Sequence, residues 1–184
     1  MQRVRFPTAK SLFEAFPEAG EDIAAPPTEE PPLTFARRLA AGETPEEAIT
    51  FCAYLLPRRE AVWWACRCVR ALVPQPAGED AAALAAAEDW VREPEDGRRR
   101  AALALGSAGD HGRPATWAAL AAAWSGGSLV EGHTVPCPPH LTAKAAQTAV
   151  LTALAHVDAH ERGGQIAACL ETGLSLLTPD GERR

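Results

Sequence analysis

The sequence predicts an all-α fold: a single domain of about eight helices in antiparallel pairs. Three observations carry this. Helix start signals recur along the chain. The fullest is Thr44-Pro45-Glu46-Glu47, with a threonine cap, proline in the first turn and glutamate at the capping-box position. Apolar residues recur at spacings of three and four, as in Ala48, Phe51, Cys52 and Leu55. Period-two runs rich in Val, Ile and Thr are essentially absent.

In chain order, residues 1–31 read as an N-terminal arm and proline-rich link. A short helix is expected around Thr8–Phe16. Extended backbone follows through Ala24-Ala25-Pro26-Pro27 and Pro31-Pro32, either as an arm lying on the domain or as a tether. The helical domain spans 32–178. Its first helix runs from Pro32 to Ala41 with Gly42 past its end, and the second from Thr44 to about Leu55. Pro57 opens a third, ending near Val73 before Pro74 and Pro76. Gly78-Glu79-Asp80 precedes an alanine-rich helix to Val91, and Pro94-Glu95-Asp96 starts another ending at Leu105-Gly106. Pro114 begins the helix of Trp117, Leu120 and Trp124, closed by Gly126-Gly127. The last two helices are expected at Leu141–His156 and Ala159–Leu177, with an Asp158-x-x-Glu161 cap between them. Gly163-Gly164 weakens the final helix by up to about 1 kcal/mol per glycine, so either these glycines permit close packing or that helix starts later. Residues 179–184 read as a disordered tail. The alanine runs at 81–85, 101–105 and 118–121 resemble one another. Composition alone accounts for them, and a repeat-like stack is the alternative arrangement.

With 184 residues the chain suffices for one domain with a real core. Much of its 47% hydrophobic content is alanine, so larger groups such as Phe13, Phe35, Phe51, Trp63, Trp90 and Leu170 must carry that core. A formal charge of −6 argues against a general nucleic-acid binder. No stretch is apolar enough for a membrane span or a signal peptide. The five cysteines form no recognisable disulfide framework, and the expected compartment is the cytoplasm.

The most distinctive segment is Leu55–Arg70, which sets two adjacent tryptophans and two near-adjacent cysteines among arginines on one helix. Val62, Cys66, Val69 and Val73 share a face bordered by Trp63, and Trp64 sits about a hundred degrees from Trp63. In one reading Arg59, Trp63, Trp64, Arg67 and Arg70 form a partner-binding groove in which Trp64 stacks on the partner. In the other, the helix is the central packing element and each tryptophan fills one side. Cys66 and Cys68 diverge on a helix, so they read as buried structural residues.

Elsewhere, His133, Cys137 and His140 are the candidate metal ligands of one proline-rich loop, at a spacing that matches no common zinc module. His156 and His160 are four apart, but the intervening cap breaks the helix between them. No nucleophile elbow, phosphate loop or paired-carboxylate motif is present. The expectation is a protein that is not an enzyme and carries no cofactor.

The run Leu56-Pro57, Arg59-Glu60-Ala61-Val62-Trp63-Trp64-Ala65-Cys66, with Ala87-Glu88-Asp89-Trp90 and Pro136–Leu141, resembles a family of uncharacterised proteobacterial proteins over most of 33–177. Members are encoded among type VI secretion genes, near spike and PAAR-type tip proteins. The resemblance implies an adaptor or chaperone for an effector or for spike loading, and it brings no catalytic residues. The leading expectation is thus a non-enzymatic adaptor that holds another protein, through the Trp64 and arginine side of the central helix or the proline-rich loop before Leu141. The alternatives are an immunity protein, whose acidity would suit a basic toxin, and a small metal protein centred on His133, Cys137 and His140.

Overall fold

The computed structural model describes residues 5–128, 130 and 132–178, so the tail at 179–184 lies outside the described residues. Among the described residues there are ten α-helices and no strand. The chain divides into two compact units, residues 1–57 with 159–184, and residues 58–158.

The first unit contains α1 (Ala9–Ala15), α2 (Ala19–Asp22), α3 (Pro32–Ala40), α4 (Glu46–Leu55) and α10 (Ala159–Leu174). The N-terminal arm is part of its packing. Thr8 and Ser11 form a reciprocal capping box at the start of α1, and Leu12 and Phe13 are buried. The Phe13, Phe35 and Phe51 rings pack together, with Phe35 and Phe51 centroids 4.8 Å apart. α2 was not anticipated: a four-residue turn in the acidic link, it buries Ala19 and is followed by buried Ile23. The link beyond lies against the unit as an arm. The carbonyls of Thr28 and Glu30 accept from the Lys10 and Ala9 amides, both at 2.9 Å, and so satisfy open donors of α1.

Glu47 does not close the expected capping box. The N-cap is Pro45, in helical conformation, so the frame of the box is displaced by one residue. The Glu47 carboxylate instead accepts from the amides of Ala24 at 3.0 Å and Ala25 at 3.4 Å, pinning the link. At the other end of α4, the Arg5 guanidinium donates to the carbonyls of Tyr54 and Leu56. Arg37 on α3 and Glu171 on α10 make a two-point ion pair, which raises the Arg37 pKa. In α10, Gly163 and Gly164 are helical, and a Cβ at either would meet nothing within 4 Å. They serve neither close packing nor a later start.

The second unit contains α5 (Arg58–Leu72), α6 (Gly78–Arg92), α7 (Asp96–Ala108), α8 (Pro114–Ala123) and α9 (His140–Ala155). Consecutive helices pack together, and α5 also packs on α8 and α9. Contact between the first and last helices closes the unit as a bundle, unlike a stack in which each repeat touches only its neighbours. Its most enclosed helix is α8, where the sequence pointed to α5. α8 packs against α5, α6, α7 and α9, and every residue in it except Trp117 is buried. Its ten residues include no charge and six alanines, so it has no polar face and close approach is allowed all round.

A close helix-to-helix approach occurs at Gly106, inside α7 rather than at its end. An added Cβ would sit 2.8 Å from Leu120 Cδ2 and 3.1 Å from the Leu120 amide nitrogen. Gly106→Ala is therefore expected to lower stability by about 1–3 kcal/mol despite alanine's better helix propensity. A urea midpoint equal to that of the wild type would contradict this packing.

The carbonyls at the C-terminus of α8 each find a donor. Ser125 Oγ donates to the Ala121 carbonyl at 2.6 Å, the Arg99 guanidinium to Ala123 at 3.1 Å, and Thr142 Oγ1 to Trp124 at 3.1 Å. Arg58 donates to the Ser125 carbonyl at 3.2 Å. Two cationic side chains thus sit at the negative end of the helix, where the macrodipole favours them.

Candidate protein-binding surface

Leu56-Pro57 ends α4 and admits α5, whose face of Val62, Cys66 and Val69 is buried. The two tryptophans diverge as the helical rotation requires, and only one of the two groove candidates faces outward. Trp64, the anticipated stacking platform, is 0% exposed and unavailable to a partner. Trp63, named from sequence both among the core residues and among the groove residues, is 36% exposed. The Arg67 guanidinium lies over the Trp63 ring, 5.5 Å from its centroid, a cation–π arrangement.

The arginines also divide. Arg59 donates to the carbonyls of Val91 at 2.7 Å and Arg92 at 3.3 Å, closing the C-terminus of α6. Arg70 pairs with the Glu88 carboxylate through two nitrogens, and this hydrogen bonding raises its pKa. These two candidates stitch α5 to α6. What remains for a partner is Trp63 with Arg67. They border a small groove of about 210 Å³ completed by Cys66, Glu88, Val91 and Arg92. Arg92 holds the Asp89 carboxylate at 2.6 Å. An apolar ring topped by an arginine, beside Glu88 and Arg92 whose charges are already paired, is a surface another protein can cover.

All five cysteines are buried and free. Burial raises the pKa of the Cys52 and Cys66 thiols above the ordinary thiol range, which disfavours the nucleophilic thiolate. The metal candidates do not converge. His133 is exposed, whereas Cys137 is buried with its amide bonded to the Gly127 carbonyl at 2.8 Å. His140 opens α9, and the donor atoms of these three residues form no cluster. The proline-rich loop does expose Val130 and Val135, beside a hollow of about 290 Å³. α9 ends at Ala155 and α10 begins at Ala159, so the helix breaks between His156 and His160 as expected.

A family model described as a family of unknown function, DUF6931, matches residues 35–177. The chain belongs to the DUF6931 family. The match covers the Trp63–Arg67 surface and the helices that carry it in this DUF6931 member, and begins within α3, after the N-terminal arm. No curated protein matches the chain. No solved structure matches it either. No helix among the described residues is long and apolar enough to cross a membrane.

Proposed function

We propose that this protein is a non-enzymatic adaptor or chaperone that holds another protein through the Trp63–Arg67 face of α5. The observation that carries the reading is the contrast within one helix. Trp64, Cys66 and Cys68 are buried and Arg59 and Arg70 are bonded to α6, while Trp63 is turned outward under Arg67. A large aromatic at a groove edge, topped by an arginine, has the composition of an interface hot spot. The sequence resemblance supplies the context for the partner, an effector or spike component of a type VI secretion system, met in the cytoplasm.

Co-expression with the products of adjacent type VI secretion genes tests the reading. The wild type is expected to co-purify with one of them. Trp63→Ala and Arg67→Glu are each expected to weaken that complex at least tenfold, the cost of losing about 1.4 kcal/mol or more of hot-spot contact. Retention of the complex by both variants, in folded form, would sink the proposal. A partner that is itself toxic and is neutralised in the complex would favour the immunity reading instead.

A further inference from the structure

The second unit carries a larger concavity, built from other residues than the Trp63 face. It is a cleft of about 660 Å³ where α5 runs into α6 and α7 turns into α8. Val73, Ala83, Leu105 and Ala108 give it an apolar lining. Leu105 is 37% exposed there, one of four exposed large hydrophobic side chains among the described residues. Glu79, Asp80, Asp110 and Arg113 bring charge to the same cleft.

Four helix ends meet at the cleft: the C-termini of α5 and α7 and the N-termini of α6 and α8. Their partial charges are two negative and two positive and cancel to first order, so the side chains decide. Arg113 bonds to Asp80 at 3.1 Å and approaches Asp110 at 3.9 Å. Glu79 makes no ion pair among the described residues. Three carboxylates against one guanidinium leave an excess of two negative charges on an apolar lining. Its complement is a cation on an aliphatic stem. Arginine and lysine have this form: their methylenes lie along apolar surface while the charged head reaches a polar rim. A neighbouring aliphatic side chain would cover Leu105.

We propose that this cleft receives a basic segment of a partner protein, an arginine or lysine flanked by aliphatic residues. Charge complementarity would speed the encounter as well as select the segment.

The test is a titration of the 15N-labelled full chain with acetyl-Leu-Arg-Leu-amide, with acetyl-Leu-Glu-Leu-amide, and with spermidine. The basic peptide is expected to shift the amides of Ala77, Leu105 and Asp110 in a saturable way, and the acidic peptide is expected to leave them in place. Glu79→Gln with Asp110→Asn should weaken the basic peptide about tenfold and keep the rest of the spectrum, because asparagine preserves the acceptor that bonds the Gly112 amide. Equal response to both peptides, no response, shifts outside the cleft, or an unchanged affinity in the double variant would each overturn the proposal. Spermidine binding as well as the peptide would overturn the assignment to a protein segment. Trp63→Ala should leave the titration unchanged, so this outcome is separable from that of the α5 face.

Discussion

Trp64→Ala is expected to lower the stability of the protein by about 3–5 kcal/mol, the range for emptying a fully buried large aromatic site, whereas Trp63→Ala next to it should cost clearly less, about 1–2 kcal/mol. The two residues are adjacent and chemically identical, so the difference rests on placement alone. Trp64 is 0% exposed on a helix packed by α6, α8 and α9, and its removal leaves a cavity that close-packed alanine-rich helices cannot collapse to fill. Trp63 is 36% exposed and its alanine variant loses part of one ring surface and the contact with Arg67. Denaturant unfolding of both variants reads this directly. Similar midpoints for the two would mean that the burial assigned to Trp64 is wrong.

Arg99→Ala is expected to cost about 3 kcal/mol. The Arg99 side chain is only 4% exposed. Its guanidinium bonds Asp96 Oδ1 at 2.9 and 2.7 Å and the Ala123 carbonyl at 3.1 Å, so its loss strands a buried acceptor at the end of α8 and opens a cavity. Arg99→Lys should recover little of the loss, because an ammonium cannot bond the carboxylate and the carbonyl with one planar fork. Gly127 packs on the same guanidinium: a Cβ there would lie 2.8 Å from it, at a backbone φ of +59° that already favours glycine. Asp96→Ala should cost less, since that carboxylate is largely exposed. Hydrogen bonds from Arg100 and Arg99 hold the Asp96 pKa below the ordinary value. Its contribution is therefore present above the unfolded-state pKa and is lost as pH falls through the lowered folded value. Thermal melts of the alanine variants at neutral pH check the ordering, and equal losses at Arg99 and Asp96 would contradict it.

The helices that could be read from sequence are those whose ends carry local chemistry. Pro57 before α5 and Pro114 at the head of α8 act within a turn, and the structure places both starts where these residues put them. Gly106 was misleading because the same residue serves two purposes. It reads as a helix end, but it sits inside α7 to let Leu120 approach. The enclosure of α8 was visible only as an absence, ten residues without a charge, since alanine runs specify no preferred face. Glu47 had the right residue type for a cap, and its acceptor went to a segment more than twenty residues earlier, a tertiary choice that no local pattern encodes.

At the candidate site, the hundred-degree step per residue established that Trp63 and Trp64 diverge. Which of them faces inward depends on the neighbours of α5, and helix periodicity carries no information about those. The arginines illustrate the same limit. Arg59, Arg67 and Arg70 look equivalent in the sequence, and only the positions of Val91, Arg92 and Glu88 on α6 separate the two that hold the fold from the one that lies over Trp63.

Whether a partner covers Trp63 can be read by fluorine NMR of the 5-fluorotryptophan-labelled protein, with the Trp63 resonance assigned by its loss in Trp63→Phe. The Trp63 signal is expected to show a solvent isotope shift in the free protein and Trp64 none, and adding the partner identified by co-expression is expected to abolish the Trp63 shift. A complex that forms while the Trp63 resonance keeps both its position and its solvent isotope shift would contradict it.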